Sequence, residues 1–309
     1  MIHTVTVSPA LDLTYRIPEV KFDDTIRAGK VYRAAGGKGI NVSRVAARLQ
    51  HATVAMGFAG GPAGDEIEEL LRHERVRTWF TRQEAATRTN VILHDDANRQ
   101  VRVSGPGQAP SQAEIDALLG SIFELRSPDF LVLSGTLLAG MPESFYNELT
   151  VAAKREGIKV AADADGNVLR GMASAAADVI KPNRFELERL AGRSIETDVD
   201  VVSAARDAIK FGVRIVIASL GRDGAMLVTD SEAWKATPPK VEVDSAVGAG
   251  DSMLAGALVA RAEGASWADA LRMGVACGTA TATTPGTELC HLETIRDILP
   301  QVRLERVRE

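Results

Sequence analysis

The sequence has few cysteines and no strong excess of either charge. Only Cys277 and Cys290 occur among its 309 residues. Neither belongs to a C-x-x-C pair or to a Cys/His group with the spacing of a zinc site, so we expect two buried thiols. The formal net charge of −5 gives no general attraction to nucleic acid or to an anionic membrane. Any anion must therefore be bound at a local site.

Long apolar runs are lacking as well. None approaches the roughly 20 residues that span a bilayer, and the opening segment alternates Ile2, Val5 and Val7 with polar residues. Such alternation is typical of a first strand rather than of a signal peptide, so we expect a cytoplasmic protein. The hydrophobic share of 45% and the charged share of 25% are those of an ordinary soluble enzyme with a large core.

Short apolar runs alternate with longer helical ones in the second half of the chain. The runs of the buried-strand type are 130–133, 160–162 and 215–217, and those with helical periodicity between them are 143–156, 185–191 and 199–211. This alternation is the pattern of βαβ units. We predict an α/β fold in which residues 1–309 form a single domain, with a doubly wound, mostly parallel sheet covered by helices on both faces.

Two stretches, 13–34 and 88–105, break this alternation and read as half-polar strands. Strands of this kind have one wet face and usually pair antiparallel, so they do not belong in the parallel core. We expect them to meet as a small sheet that either covers the active site as a lid or pairs with a second subunit. The alternative is a pair of ordinary surface hairpins. Because half-polar strands need a partner for their second face, we expect a homodimer built through the lid strands.

The strongest chemical signal is the glycine-rich segment 247–252, which precedes a run of small apolar residues. Glycines before a helix let the backbone approach a ligand, and the first N–H groups and the helix dipole then point at an anion. We therefore predict a phosphate cradle at Gly248, Ala249 and Gly250. Asp251 lies in the first turn, where it either caps the helix or takes a proton from an attacking hydroxyl.

A second glycine cluster, 36–39, opens another helix. It is not a Walker A loop, because no Gly-Lys pair in the chain precedes Ser or Thr. A dinucleotide fingerprint is excluded by the missing G-x-G-x-x-G spacing. The remaining alternatives are a tight turn before a helix and a sugar-binding loop, and Lys38 and Asn41 favour the second.

Three further loops follow predicted strands, at the edge where open α/β sheets bind their ligands. Lys181, Asn183 and Glu186 lie in one of them. The last two can hold water around Mg²⁺, or they can simply begin a helix. The loop 219–224 suits a nucleotide phosphate or ribose and is otherwise a glycine turn. The third loop is 134–136, and each of the three has a purely structural alternative.

Taken together and in this order, the loops resemble those of the PfkB (ribokinase-like) family of carbohydrate kinases, over nearly the whole chain. Segments 8–12, 36–41, 87–90 and 106–107 look like the branch that phosphorylates sugar phosphates. The resemblance implies a ribokinase-like fold. It also implies a kinase that uses Mg-ATP to convert a hexose phosphate, fructose 6-phosphate or fructose 1-phosphate, into fructose 1,6-bisphosphate. The alternatives are a kinase for tagatose 6-phosphate or another sugar, and a sensor without catalysis.

The resemblance also implies a role for each candidate residue. Asp251 would be the catalytic base, beside an anion hole made by Gly248, Ala249 and Gly250. Sugar hydroxyls would be bound by Asp12, Gly37, Lys38 and Asn41, and the phosphate already on the sugar by Arg27, Arg88 and Thr136. The nucleotide would be held by Lys181, Asn183, Ser219, Gly221 and Gly224, with Mg²⁺ reached through water by Glu186. A K⁺ ion near the anion hole is a further candidate ligand.

Overall fold

The computed structural model describes residues 1–97, 99–124 and 128–307, and Asn98 of the second predicted lid stretch lies outside them. The strands are β1 (Ile2–Thr6), β2 (Ala10–Ile17), β3 (Lys30–Gly36), β4 (Thr53–Ala59), β5 (Arg77–Arg82), β6 (Arg88–Asp95), β7 (Gln100–Ser104), β8 (Phe130–Ser134), β9 (Val160–Asp163), β10 (Val179–Ile180), β11 (Ile215–Ser219), β12 (Ala225–Val228), β13 (Ala233–Thr237) and β14 (Arg303–Arg306). The helices are α1 (Lys38–Arg48), α2 (Gly61–His73), α3 (Gln112–Glu124), α4 (Phe145–Arg155), α5 (Gly166–Ser174), α6 (Arg184–Ala191), α7 (Asp198–Ile209), α8 (Ala249–Ala262), α9 (Trp267–Ala282) and α10 (Leu292–Ile298).

The main sheet has ten strands in the order β14-β13-β12-β11-β10-β9-β8-β1-β4-β5. From β11 to β5 every neighbouring pair is parallel, whereas β12, β13 and β14 continue it antiparallel. The chain runs from β1 outward to β4 and β5, and then returns to β8 on the other side of β1. The order of the strands therefore reverses between β1 and β8, which is where sheets of this type leave a crevice for ligands.

Helices cover both faces of this sheet. On one face, buried residues of α3, α4, α5 and α7 pack against the strands, with Tyr146 and Leu118 fully buried among them. On the other face, α1, α8, α9 and α10 supply a second cluster that includes Leu254. Strands such as β8 are buried along their whole length, which explains their unbroken apolar sequence. The predicted doubly wound α/β fold is confirmed.

The two half-polar stretches form a small separate sheet in the order β3-β2-β6-β7, as predicted. The expectation of antiparallel pairing is met within each hairpin, β2–β3 and β6–β7, but is wrong where the hairpins join, because β2 and β6 run parallel. The pattern of burial is also unusual. Asn90 and His94 are buried, whereas Val101 and Val103 are 44% and 59% exposed. The buried face of β6 is thus mostly polar, although Ile92 is buried on it as well, whereas Val101 and Val103 of β7 lie on the outward face.

Both cysteines are buried and free, in agreement with the sequence. Among the residues in the described ranges, no helix combines the length and the apolar character that a membrane crossing requires.

Candidate active site

The amino end of α8 lies at the carboxyl edge of the main sheet and begins with a turn that requires glycine. Gly248 has a φ of 78°, a left-handed conformation that other residues adopt only with strain. A Cβ at this position would also lie 2.7 Å from Leu289 Cδ2. The first N–H groups of a helix have no acceptors within the helix. Those of Gly248 and Gly250 are therefore suited to an anion, whereas that of Ala249 donates a long hydrogen bond of 3.3 Å to the Ala246 carbonyl.

Asp251 lies in the first turn of α8 and contacts the second glycine-rich helix rather than its own helix end. Its side chain is buried, and its Oδ2 accepts a hydrogen bond of 2.8 Å from Asn41 Nδ2 of α1. The amino end of α8 has no side-chain cap bond. Asp251 is therefore not a helix cap, and the two strongest motifs of the sequence meet through this pair.

The surroundings of Asp251 raise the pKa of its carboxyl group from 3.8 to about 6. Burial is the main cause, and the negative charge of Asp163 adds to it. The hydrogen bond from Asn41 and the ammonium groups of Lys181 and Lys38 act in the opposite direction. A carboxylate whose pKa lies this close to neutral pH can both accept and release a proton, as a general base must.

Asp163, at the end of β9, holds two lysines beside this carboxylate. Its side chain is 1% exposed; Lys38 Nζ lies 2.9 Å from its Oδ1, and Lys181 Nζ lies 3.1 Å from its Oδ2. Burial alone would raise the pKa of Asp163, but the two ammonium groups outweigh it and lower that pKa. A Cβ on Gly250 would lie 3.4 Å from Lys181 Nζ. The ammonium group of Lys181 thus lies at the cradle that begins α8.

Sequence reasoning did not select Asp163, although a signal was present. The residue follows the apolar run 160–162 directly, as an acidic residue at the carboxyl end of a buried strand. The rule that drew attention to the loop 134–136 applies to it equally.

Asp12 faces the same region from β2 of the small sheet. Its Oδ1 accepts a 2.6 Å hydrogen bond from Asn90 Nδ2 of β6, and Arg102 Nη2 lies 3.6 Å away from that oxygen. Burial raises the pKa of Asp12. A Cβ on Gly36 would lie 2.5 Å from Asp12 Oδ2, so the first glycine of the cluster makes room for this carboxyl group. Gly37 follows as the N-cap of α1, directly before Lys38.

Of the three residues predicted to hold the phosphate of the sugar, only Arg88 is fixed by other residues. Its Nη2 and Nε donate to the carbonyls of Ser8 and Pro9 at 3.3 and 3.4 Å, and burial lowers the pKa of its guanidinium. Arg27 is exposed in the loop between β2 and β3, and Thr136 is exposed after β8. Neither makes a side-chain hydrogen bond or ion pair with the residues that the structure describes.

The residues predicted to hold the nucleotide lie in two loops that contact each other. Asn183 Oδ1 accepts from Glu186 N at 2.9 Å, while Asn183 N donates to Glu186 Oε2 at 2.7 Å. This is a complete capping box at the start of α6, so the structural alternative for the pair is realised. Ser219 N donates to the Pro182 carbonyl at 2.9 Å. Gly221 begins a short 3₁₀ turn after Ser219, and Gly224 follows the end of this turn.

Within the described ranges, no group of three or more His, Cys, Asp or Glu side chains is placed to hold a metal ion. Magnesium does not require such a group, because it is commonly held by one or two carboxylates together with substrate phosphates. A nucleotide with its own Mg²⁺ therefore fits the donors present, with Glu186 as a carboxylate within the segment 181–186.

Comparison with known proteins gives consistent results over the whole chain. The family described as pfkB family carbohydrate kinase matches residues 6–295. The chain is 38% identical to a 1-phosphofructokinase of Haloferax volcanii, over 100% of this chain and 99% of that protein. It is 34% identical to the ATP-dependent 6-phosphofructokinase isozyme 2 of Escherichia coli, over 96% and 97% of the two.

The solved structure of phosphofructokinase-2 from Escherichia coli in complex with substrates and products matches with a TM-score of 0.93 and 33% identity, over 97% of this chain and 98% of that one. The same enzyme has been solved in complex with potassium and in a tetrameric inhibited form.

Proposed function

The chain belongs to the PfkB family of carbohydrate kinases and is a sugar-phosphate kinase of the phosphofructokinase type, and from this premise we propose its substrate and its catalytic residues. The acceptor is fructose 6-phosphate or fructose 1-phosphate, and the product of either is fructose 1,6-bisphosphate. The observation that carries the assignment of the site is the contact of Asn41 with Asp251 at the glycine-rich start of α8.

In this proposal Asp251 is the base. It takes the proton of the sugar hydroxyl as the hydroxyl oxygen bonds to the γ-phosphorus of ATP, and the bond from that phosphorus to the bridging oxygen of ADP breaks. The negative charge on the transferred group is stabilised by the N–H groups of residues 248–250 and by the ammonium group of Lys181. Positioning and charge stabilisation supply most of the catalysis in such transfers.

The acceptor is bound between α1 and the small sheet. Its hydroxyls contact Asp12, Gly37, Lys38 and Asn41, and its phosphate contacts Arg27, Arg88 and Thr136. The polar inner face of the small sheet supports this proposal, because Asp12 and Asn90 are buried there next to the glycine cluster. The chain thus acts as one kinase domain, with the small sheet as the lid over the sugar.

ATP with Mg²⁺ is bound at the two nucleotide loops, by Lys181, Asn183, Ser219, Gly221 and Gly224, with Glu186 reaching the ion through water. Bound magnesium neutralises the charge of the phosphates during transfer. A K⁺ ion is proposed as a further ligand beside the anion hole. There Ser245 Oγ donates to the Gly286 carbonyl at 2.7 Å, which joins two loops whose carbonyl groups are of the type that binds K⁺.

The outer face of the lid supports a homodimer. Val31, Val101 and Val103 are 42%, 44% and 59% exposed on this face, and the register of the strands places Tyr15 and Leu93 beside them. An exposed apolar sheet face of this kind marks an interaction surface. We propose that a second copy covers it. Gel filtration that shows a monomer at micromolar concentration would count against the dimer.

A panel of acceptors tests the proposed reaction. ATP consumption is measured with fructose 6-phosphate, fructose 1-phosphate, tagatose 6-phosphate and unphosphorylated fructose, and catalytic efficiencies are compared. The highest efficiency is expected for one of the two fructose phosphates. A higher catalytic efficiency with tagatose 6-phosphate would instead support a tagatose-6-phosphate kinase of the same family. Binding of fructose phosphates without ATP turnover would instead favour the sensor hypothesis.

Asp251→Asn is measured with the best acceptor of that panel. Turnover is expected to fall by roughly two to four powers of ten, the usual contribution of a general base. Near-normal turnover would refute the assignment of the base.

A further inference from the structure

Arg44 is a buried cation that none of the proposed substrate contacts uses. It lies on α1 one turn after Asn41. Only 4% of it is exposed, so it is as buried as many residues of the core. Its Nε donates to Glu74 Oε1 at 2.8 Å, which supplies the opposite charge that a buried guanidinium requires. Its Nη1 points in another direction, toward the Ala35 carbonyl at 3.2 Å and toward Asn41 Oδ1 at 3.4 Å.

The second of these contacts determines the orientation of an amide. An asparagine side chain presents an oxygen that accepts and a nitrogen that donates, and the two ends have nearly the same shape. A guanidinium only donates, so Arg44 favours the oxygen of Asn41 on its side. The nitrogen must then face the opposite side, where it donates to Asp251 Oδ2 at 2.8 Å.

We propose that Arg44 is a positioning residue for the phosphoryl transfer, because its guanidinium fixes the Asn41 amide in the orientation that donates to Asp251. The inference rests on the proposed role of Asp251 as the base. With the amide reversed, its oxygen would lie against the carboxylate and its nitrogen against the guanidinium, and both contacts would be repulsive.

The neighbouring Arg48 shows that charge compensation alone does not account for Arg44. Arg48 also approaches Glu74, with Nη2 3.3 Å from Oε2. Its other contacts go to the carbonyls of Leu289 and Cys290 at 2.6 and 3.0 Å, and no hydrogen bond joins it to Asn41. Glu74 thus pairs with two arginines of α1. Of these two, only Arg44 contacts Asn41, which is the residue that donates to Asp251.

The pH dependence of turnover reports this role. The charged groups that influence Asp251 are Lys38 of α1, Asp163 of β9 and Lys181 after β10, and Asn41 is the hydrogen-bond donor. None of the three charges depends on Arg44 for its contacts. If the amide loses its fixed orientation, the carboxylate loses a donor and the base becomes harder to ionise. The acid limb of the kcat profile should then move to higher pH.

The test compares Arg44→Met with Arg44→Lys and Glu74→Gln. Arg44→Met is expected to lower kcat by about tenfold to a hundredfold and to move the acid limb upward by about one pH unit, with the KM for ATP unchanged. Arg44→Lys keeps a cation that only donates and should restore the acid limb. Glu74→Gln removes the opposite charge but keeps an oxygen for Nε, so it should lower the melting temperature and leave the limb in place.

Two further measurements keep the inference separate from the proposed function. If Arg44 acts through Asn41, adding Arg44→Met to Asn41→Ala should change kcat little beyond the single variant. Where Arg44→Met does not fold, Arg44→Gln replaces it, because a glutamine amide no longer dictates which end of Asn41 faces it. An acid limb unchanged in these variants, while Asp251→Asn has lost turnover, overturns the positioning role alone. Normal turnover in Asp251→Asn overturns both.

Discussion

Replacement of Asp251 by asparagine should make the protein more stable while it removes most of the activity. The carboxylate is buried near the negative charge of Asp163, and its pKa is raised from 3.8 to about 6. The ionised form is therefore less favourable in the folded protein than in the unfolded chain. An asparagine of the same shape can keep a hydrogen bond with Asn41 without this cost.

The size of the effect follows from the two pKa values. A difference between 3.8 and about 6 corresponds to about 3 kcal/mol, at roughly 1.4 kcal/mol for each pH unit. This is an upper estimate, because the asparagine puts a buried NH₂ group where the carboxylate had only acceptors, and burying an amide donor without an acceptor has a cost of its own. A gain of about 1–3 kcal/mol would raise the melting temperature by only a few degrees, because an unfolding entropy of about 2.1 cal/mol/K per residue over 309 residues gives roughly 1.5 °C per kcal/mol.

The gain should depend on pH in a defined direction. Because the pKa of Asp251 is raised on folding, the folded protein binds this proton more tightly than the unfolded chain does. Below the unfolded value of 3.8 the carboxyl group is neutral in both states, and the substitution should change little. As the pH rises from there through about 6, the natural protein loses stability that the variant keeps. Above that range the difference between the two proteins should be constant.

Urea unfolding at several pH values between 4 and 8 measures this difference, and turnover is measured on the same samples. The acceptor KM should change less than kcat. Asn41→Ala is the matched control, since it removes the other member of the hydrogen bond and leaves the carboxylate buried without its donor; it should destabilise the protein most above pH 6. A variant Asp251→Asn that is less stable than the natural protein at pH 8, or a stability difference that does not vary with pH, would refute the reasoning.

Three other predictions concern the sugar phosphate, the anion hole and the lid. Arg88→Ala should raise the KM for the sugar phosphate by about tenfold to a hundredfold, the loss of a charged hydrogen bond; steady-state kinetics that give an equal rise for ATP would contradict this. Gly248→Ala should lower both kcat and the melting temperature, because its φ of 78° strains an alanine and the new methyl group would lie 2.7 Å from Leu289 Cδ2. Val103→Lys should convert the dimer to a monomer in gel filtration without unfolding it, since this side chain is 59% exposed in one copy; an unchanged elution volume would argue against the lid interface.

Much of the fold could be predicted from the sequence, because its signals are local. The runs 130–133, 160–162 and 215–217 lie within β8, β9 and β11, and the three predicted helices correspond to α4, α6 and α7 within a few residues at each end. Burial on both faces leaves a continuous apolar run, and this can be read without knowing which strand lies next to which. The parallel join of β2 and β6 could not be read in this way, because it depends on how two separate hairpins meet.

The candidate site was predictable as separate pieces rather than as an arrangement. Asp251 and Asn41 were selected from different motifs, but their contact spans 210 positions of the chain, and no local pattern specifies it. Asp163 was missed because a single acidic residue after a strand is common. Arg44 was missed because an arginine within an amphipathic helix usually lies in solvent, and its burial became visible only once Glu74 was placed beside it.

The parallel join between β2 and β6 has a consequence for the order of folding. The hairpins close over 12 residues between β2 and β3 and over four between β6 and β7, whereas the hydrogen bond between Asn90 and Asp12 links residues 78 positions apart. Pairing between residues far apart in the sequence requires a large loss of chain entropy before any contact forms, so it is slower than the formation of local structure. We expect the hairpins to form early and to join late. A growing chain should therefore lack the proposed acceptor pocket until β6 has been synthesised and has paired with β2.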